Sequence, residues 1–429
     1  MTIASRMGFP RGRHAARYGV AGLVNATGTG LFYPFALLFF HHQVEAPMVQ
    51  IGACYTVAMG LGVAGVTRTG RLVDRFGARN VLVTDTLIRA AVFAAYPFVH
   101  HLAAFVALAT VVSLAERTDQ VASQALVAGL VPDNERPGWF ALSRMTLNAG
   151  MGGGALIGGL LLASSPGGGY HWLAWANAVS FVLAAALYLP LRPVRAAVVQ
   201  AAERTTGAWR DGLFLKIAVL SGLLYLVGLA VEVGLPVYLI QYLHEPAWTV
   251  SLVFAVNTGL IVLFQLPVTE RTRRRPAMRM LACGTAGYAL TFLVFLTTHR
   301  VEGTVLVVSL VLAVCLFTVG ELITSVTSMV IVNGLAPDDR RGSYIGVGQF
   351  FVGLGTTAAP LLFTVGLALS PGGLWLGLAL LSAGIAAAVL RLRVPVTARL
   401  AAAATAVTSR AEPISDGPGA RRRARGSRR

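Results

Sequence analysis

Long apolar runs dominate the chain and alternate with short polar segments. A helix of about 20 residues crosses the hydrocarbon core of a bilayer. Twelve runs approach or exceed that length, at residues 18–40, 48–68, 80–98, 102–126, 141–163, 172–190, 214–241, 248–268, 277–297, 304–334, 343–369 and 372–391. The pattern predicts an all-α integral membrane protein with twelve transmembrane helices.

The charge distribution predicts how the helices are oriented. Only 12% of the residues are charged, about half of what a soluble domain carries. The net charge of +17 comes almost entirely from arginines, which cluster in alternate loops and at both ends of the chain. By the positive-inside rule, both termini face the cytoplasm of a multi-pass cell-membrane protein. The basic charge therefore indicates topology, and we expect a lipid bilayer and no nucleic acid as partner.

An internal repeat divides the chain into two halves. A shift of 205 residues superimposes the segment 129–136 on 334–341. The longest polar connection lies between the sixth and seventh apolar runs, so the predicted fold consists of two pseudo-symmetric six-helix halves. The expected divisions are a cytoplasmic N-terminus at 1–17, a first half at 18–190, a cytoplasmic linker at 191–213, a second half at 214–392 and a disordered basic cytoplasmic tail at 393–429.

Residues 70–79 read GRLVDRFGAR and lie between the second and third apolar runs. Arginines are excluded from lipid, so we expect a tight cytoplasmic loop here. The segment resembles the signature loop of the major facilitator superfamily, except that Ala78 stands where an arginine is usual. The resemblance implies a transport gate made of Gly70, Asp74, Arg75, Gly77 and Arg79, with Asp74 against the start of the eleventh helix.

Two further segments resemble motifs of the same superfamily. Arg117 and Gln120 match its Arg-x-x-Gln-Gly motif, although Val121 replaces the glycine. The fifth apolar run resembles the motif of its exporters, although Ala155 stands where that motif has proline. Glycines spaced by four residues permit close helix packing. The expected packing glycines are Gly150, Gly154, Gly158 and Gly159.

Charged residues within the third and fourth apolar runs must be paired or functional, because a charge in the membrane costs several kcal/mol. We expect one inner charge network, formed by Asp85, Arg89, Glu116, Arg117, Asp119 and Gln120. The network could be purely structural, with charges that neutralise one another and hold the helices together, or it could form a cytoplasmic gate.

Polar side chains spaced by three or four residues form stripes along several apolar runs, and such stripes must face protein or water. The resemblance places these helices around a central cavity. The cavity-lining candidates are Asn25, Thr29, Ser113, Tyr225, Thr318 and Ser325. Hydrogen bonding between helices, without transport, would explain the same stripes.

Glu232 and Glu321 are candidates for proton coupling. The membrane segments of the second half have no lysine or arginine at comparable depth, so an ionised carboxylate there lacks a countercharge. Each carboxylate would bind a proton when enclosed and release it when open to water. A permanently protonated structural glutamate is the alternative.

These features favour a secondary active transporter that works by alternating access, with proton-coupled export of small amphipathic molecules as the preferred function. A proton-coupled or passive importer of a small solute is the alternative, and a non-transporting membrane receptor or scaffold is a more remote one. The chain has no phosphate-binding loop and no metal-ligand spacing. We therefore expect no enzyme activity, no cofactor and no metal. The expected partners are a small-molecule substrate and protons, and the expected state is a monomer.

Overall fold

The computed structural model describes residues 13–130, 136–164, 169–191, 206–337 and 340–411. Within these ranges the chain forms helices joined by short turns and contains no strand. A helix pairs its backbone N–H and C=O groups internally, which is why long apolar runs adopt it in lipid. The predicted all-α fold with twelve transmembrane helices is confirmed.

We name the long helices α1 to α13 in chain order. Helix α1 runs as Arg13–Phe32, a 3₁₀ turn Tyr33–Phe35 and Ala36–Val44. Helix α7 begins as Gly212–Leu229 and continues to Tyr242 through two π-helical turns. The others are α2 Met48–Phe76, α3 Ala78–Ala95, α4 Leu102–Leu130, α5 Arg136–Ser164, α6 Gly169–Tyr188, α8 Trp248–Arg273, α9 Ala277–Thr297, α10 Gly303–Leu335, α11 Arg341–Leu369, α12 Pro371–Arg391 and α13 Arg393–Ala411.

Ten of the described helices are long and apolar enough to cross a membrane, and Met48–Ala64 of α2 adds a shorter apolar stretch. Helix α4 is not among them, because Glu116, Arg117 and Asp119 interrupt its apolar sequence. Three charges within four residues of a membrane helix require partners inside the protein. Helix α4 is thus a place to look for function.

The helix pairs repeat between the halves. Helix α1 packs on α5, α2 on α4 and α3 on α6, and the second half repeats this order with α7 on α11, α8 on α10 and α9 on α12. The most extensive contacts between the halves are those of α2 with α11 and of α5 with α8, and α1 also contacts α7 at its 3₁₀ turn. The repeat seen in the sequence therefore corresponds to a repeat in the packing.

The structure corrects the prediction of a loop at residues 70–79. Helix α2 continues to Phe76 and α3 begins at Ala78. Only Gly77 leaves the helical conformation, with a φ of 81° that favours glycine. A single such residue can reverse the chain direction, so the arginines of this segment are carried by helix ends.

The structure also corrects the prediction of a disordered tail from residue 393. Residues Arg393–Ala411 form α13, while residues 412–429 lie outside the described part. Val396 of α13 is buried, and Leu400 lies over Gly334 of α10. Alanine has the highest helix propensity, and these two apolar residues, four apart, share one face. The prediction of disorder rested on the composition of the whole tail, which does not show this short amphipathic helix at its start.

A polar cluster attaches α13 to the second half. Arg399 forms an ion pair with Asp211 at 2.6 Å and donates a hydrogen bond to the Leu335 carbonyl at 3.2 Å. Asp211 also accepts hydrogen bonds from Tyr344 at 2.8 Å and from the Phe214 N–H at 3.1 Å. Partial burial alone would raise the pKa of Asp211, but these donors together lower it to about 2.

Candidate transport pathway and proton site

The contact between α5 and α8, called the α5–α8 seam, closes one end of the space between the halves. A Cβ atom on Gly152 would overlap the Thr258 side chain, and one on Gly159 would overlap Ser251. Ser251 is buried and donates a hydrogen bond to the Ala155 carbonyl at 3.1 Å. Each of these two glycines of α5 thus receives a hydroxyl side chain of α8.

The contact between α2 and α11, called the α2–α11 seam, is built from the same chemistry. A Cβ atom on Gly52 would overlap Thr364, and one on Gly60 would lie 3.6 Å from Thr357. The backbone N–H of Leu361 donates to the Thr56 hydroxyl at 3.2 Å. Hydroxyl side chains and glycines therefore join the halves on this side as well.

The two seams place glycines and hydroxyl residues on opposite halves: the glycines belong to α5 and α2, and the hydroxyl residues that face them belong to α8 and α11. The 205-residue repeat places Gly152 on Thr357 and Gly159 on Thr364. On α5 the glycine receives a hydroxyl from α8, whereas on α11 the hydroxyl enters a glycine position of α2. Small residues allow helix backbones to approach closely in membranes. Each seam therefore pairs glycines of one helix with hydroxyl side chains of the other.

Both seams lie toward the same end of the bundle. The contacting residues belong to the first halves of α2 and α8 and the second halves of α5 and α11. We call the end near the α1–α2 and α7–α8 turns the closed end. The opposite end carries the α2–α3 turn and α13. There, a Cβ atom on Gly342 or Gly346 at the start of α11 would meet nothing within 4 Å.

Three carboxylates lie between the halves, beyond the seams. Glu116 of α4 is exposed, yet it is within electrostatic range of Tyr33 of α1 and Tyr55 of α2. Glu232 of α7 is also within range of Tyr33, and of Glu321 of α10. Tyr33 of α1 is thus within electrostatic range of a carboxylate from each half, so these groups share a space inside the protein.

Glu321 is held by Asn257 of α8. The Asn257 Nδ2 atom donates to Glu321 Oε2 at 2.9 Å and to Thr318 Oγ1 at 3.0 Å. Asn257 was not among the predicted site residues. It lies in a long apolar run without a polar neighbour one turn away, so no stripe indicated it.

Glu232 lies in the π-helical turn Ala230–Gly234 of α7, four residues before Pro236. Single π-helical turns occur frequently at functional sites. Pro236 lacks an N–H and disfavours a regular helix in the preceding turn, because its ring clashes with the carbonyl four residues earlier. The local sequence therefore explains why α7 leaves the regular α-helical conformation at Glu232.

The ion pairs of the inner charge network are centred on Arg89. Arg89 forms a hydrogen-bonded ion pair with Asp119 at 2.8 Å. Its Nε atom lies 3.2 Å from Asp85, an ion pair without hydrogen-bond alignment. The guanidinium also lies 4.6 Å from the centre of the Phe181 ring, a cation–π contact. Glu116 and Gln120 are exposed.

The gate motif is only partly within the described side chains. Gly70 and the side chain of Asp74 lie outside them, so the predicted contact of Asp74 with α11 stays a prediction. Arg79 donates to the Leu189 and Leu191 carbonyls at 3.2 and 3.3 Å. These carbonyls follow the end of α6, so Arg79 satisfies acceptors at a helix end of its own half. Arg75 is exposed and lies over the Phe76 ring.

The cavity-lining candidates separate into two groups. Tyr225 and Ser325 are exposed, as expected for residues that line an open space. Ser113 is buried and hydrogen-bonds the Met59 carbonyl of α2. Asn25 is half-buried.

In this conformation Ser113 thus contacts a neighbouring helix and not a cavity, which a polar stripe alone does not distinguish. The lining role of Asn25 stays a prediction. Thr29 donates to the Asn25 carbonyl of its own helix, and Thr318 is buried against Asn257.

The four packing glycines lie against two different helices. Gly150, Gly154 and Gly158 face α1, where an added Cβ atom would clash with backbone atoms of residues 23–31. Gly159 instead faces α8 in the α5–α8 seam. Helix α5 is therefore held within its half by one glycine face and across the halves by another.

Residues 18–360 match the family model described as Major Facilitator Superfamily. The chain belongs to this superfamily. It is 29% identical over 348 residues to the multidrug resistance protein MdtH of Yersinia enterocolitica serotype O:8 / biotype 1B (strain NCTC 13174 / 8081), covering 78% of this chain and 81% of the relative. It is 28% identical over 318 residues to MdtH of Yersinia pestis (strain Pestoides F), covering 72% and 74%.

Solved structures of the superfamily share the fold. A point mutant of the nucleoside transporter NupG superimposes with a TM-score of 0.73 at 15% identity, covering 88% of this chain and 99% of that chain. The xylose transporter XylE from E. coli, in an inward open conformation, superimposes with a TM-score of 0.66 at 13% identity, covering 88% and 95%. These likenesses show the fold alone.

Membership in the Major Facilitator Superfamily establishes the coarse function. The chain is a multi-pass membrane transporter of small molecules, and it is not an enzyme. The exporter motif of the superfamily has proline where this chain has Ala155, but the 205-residue repeat places Pro360 of α11 at the equivalent position. The proline is therefore present in the second copy of the repeat. Ala155 and Pro360 each lie in a seam between the halves.

Proposed function

We propose that the chain is a proton-coupled exporter of small amphipathic molecules, with Glu321 as the main proton carrier and Glu232 as its companion. The observation that supports this most is the position of the two carboxylates. They lie on α7 and α10, within electrostatic range of each other. Among the described residues, Asn257 is the one polar group hydrogen-bonded to the Glu321 carboxylate, and it carries no charge.

A carboxylate pair without a cation favours proton exchange. Two negative charges in a site of low dielectric repel each other, so one of them is more easily neutralised by a proton. In the first half, Arg89 compensates Asp85 and Asp119, so those two carboxylates are better suited to a structural role. The named multidrug resistance relatives support export.

Transport of both substrate and proton follows from alternating access. Closure at the two seams leaves the carboxylates accessible from the end that carries α13. Opening of the seams would give them access to the other end. We assign the α13 end to the cytoplasm, since the arginines cluster there. With this orientation, both termini, the linker and the tail are cytoplasmic. The proposed state is a monomer in the cell membrane.

The test uses the full-length protein in proteoliposomes that contain a pH-sensitive dye. A panel of amphipathic compounds is added, and we expect substrate-dependent proton movement opposite to the substrate. Glu321→Gln imitates the protonated form, so it should still bind substrate and lose accumulation driven by a pH gradient alone. Glu302→Gln, at the exposed start of α10, is the matched control and should behave as wild type.

Two outcomes would contradict the proposal. If Glu321→Gln and Glu232→Gln both still concentrate substrate under a pH gradient alone, neither residue carries the coupled proton. If substrate and protons move in the same direction, the chain is a symporter and export is wrong.

A further inference from the structure

The orientation of the Asn257 amide is determined by its two acceptors. The Thr318 hydroxyl donates its proton to the Val314 carbonyl at 2.7 Å, so toward Asn257 it can only accept. The Glu321 carboxylate also accepts from the same Nδ2 atom. Both neighbours therefore require N–H groups at this position. If the amide flipped, its oxygen would face two acceptors and both hydrogen bonds would be lost.

In this orientation Asn257 favours the ionised form of Glu321. A hydrogen bond to a carboxylate is about twice as strong as one to a neutral acid. A proton on Glu321 Oε2 would meet the N–H groups of Asn257 and find no acceptor there. The other titratable groups near Glu321 are Glu232 on α7 and Tyr288 on α9, and neither supplies a positive charge.

The residue that follows Asn257 belongs to the closed end. Thr258 enters the glycine position of Gly152 in the α5–α8 seam, whereas Asn257 faces α10 of its own half. Adjacent residues of a helix point about 100° apart, so one turn of α8 contacts both the other half and Glu321. A shift of α8 relative to α10 that opens the seam therefore also moves the Asn257 amide relative to Glu321.

We propose that Asn257 is a positioning residue for proton release, which holds Glu321 ionised while the α5–α8 seam is closed and loses this contact when α8 shifts against α10 as the seam opens. Asn257 has this role only if Glu321 carries the proton, as proposed above. In the closed-seam conformation the proton leaves toward the α13 end. After the seam opens, Glu321 without its donor takes up a proton from the other side.

The test follows the infrared band of protonated carboxylic acids in the purified full-length protein, without substrate, as a function of pH. Glu321→Gln identifies the component of the band that belongs to Glu321. Asn257→Leu should move the midpoint of that component upward by about one to two pH units, because a hydrogen bond to the ionised form is lost. Asn333→Leu, the same change about 18 Å along α10 from Glu321, should leave the midpoint in place.

Two further variants separate positioning from folding. Thr318→Val keeps the shape of its side chain but removes the second acceptor, so it should move the midpoint in the same direction by less. In the double variant Glu321→Gln/Asn257→Leu, the transport defect should equal that of Glu321→Gln alone. A larger defect would show that Asn257 acts on folding and not through Glu321.

The outcomes distinguish this proposal from the proposed function. If Glu321 titrates and Asn257→Leu leaves its midpoint unchanged, the role of Asn257 is overturned and proton coupling stands. If no component of the band disappears in Glu321→Gln and proton-driven transport persists, both proposals are overturned.

Discussion

Gly152 of the α5–α8 seam and its neighbour Gly153 provide a matched pair of substitutions. A Cβ atom on Gly152 would overlap Oγ1, Cβ and Cγ2 of Thr258, whereas one on Gly153 would meet nothing within 4 Å. Thr258 is β-branched, and its side chain has few alternative rotamers in a helix. Gly152→Ala should therefore force the two helices apart, and Gly153→Ala should not.

The size of the effect follows from this overlap. Overpacking by one methyl group costs about 1–3 kcal/mol, which changes a conformational equilibrium by about 5- to 150-fold. Both substitutions gain about 0.5–1 kcal/mol of helix stability from alanine, so the comparison removes that contribution. We expect Gly152→Ala to shift the protein from the closed-seam conformation toward one that is open at this end.

The shift can be measured as a distance between spin labels across the closed end. Suitable label positions are His101, in the α3–α4 turn, and Glu302, before α10, both of which are exposed. The native cysteines are replaced first. Wild type and Gly153→Ala should give one short distance, and Gly152→Ala should add a longer one.

A swapped variant tests the residue exchange between the seams. Gly152→Thr combined with Thr258→Gly reproduces the arrangement of Thr357 and Gly60 in the α2–α11 seam, and it should restore the short distance. If Gly152→Ala gives the same distances as Gly153→Ala, the seam does not hold this end closed and the reasoning is refuted.

Three other predictions concern charged residues. Arg89→Met leaves two carboxylates without their partner and should lower the free energy of unfolding by about 3–5 kcal/mol, measured by thermal unfolding against Arg79→Met. Asp211 has a pKa lowered to about 2. Its stabilisation of α13 should therefore be complete above about pH 4 and lost as the pH falls toward 2. Hydrogen exchange of residues 393–411 measures this loss, and Asp211→Asn should show it at neutral pH. Asp74→Asn should insert normally but transport poorly, and near-normal turnover would remove Asp74 from the mechanism.

Local sequence was sufficient for the elements of this transporter and for several of its chemical groups. Apolar run lengths predicted the twelve helices, because in lipid a backbone must pair its polar groups within each segment. The cost of a charge in the membrane singled out Arg89, Glu232 and Glu321 before any contact was known. The 205-residue repeat predicted two similar halves, since duplicated sequences pack in duplicated ways.

Which residues contact one another, by contrast, was decided by the tertiary structure. Helical spacing places Ser113 and Glu116 on one stripe of α4, yet packing buries the first against α2 and leaves the second facing the space between the halves. Asn257 gave no signal in the sequence, because its acceptor Glu321 is 64 residues away.

The glycine and hydroxyl residues of the seams are likewise ordinary small residues until α5 meets α8. Periodicity along a helix fixes which residues share a face. Only the neighbouring helix determines whether that face meets backbone, side chain or open space.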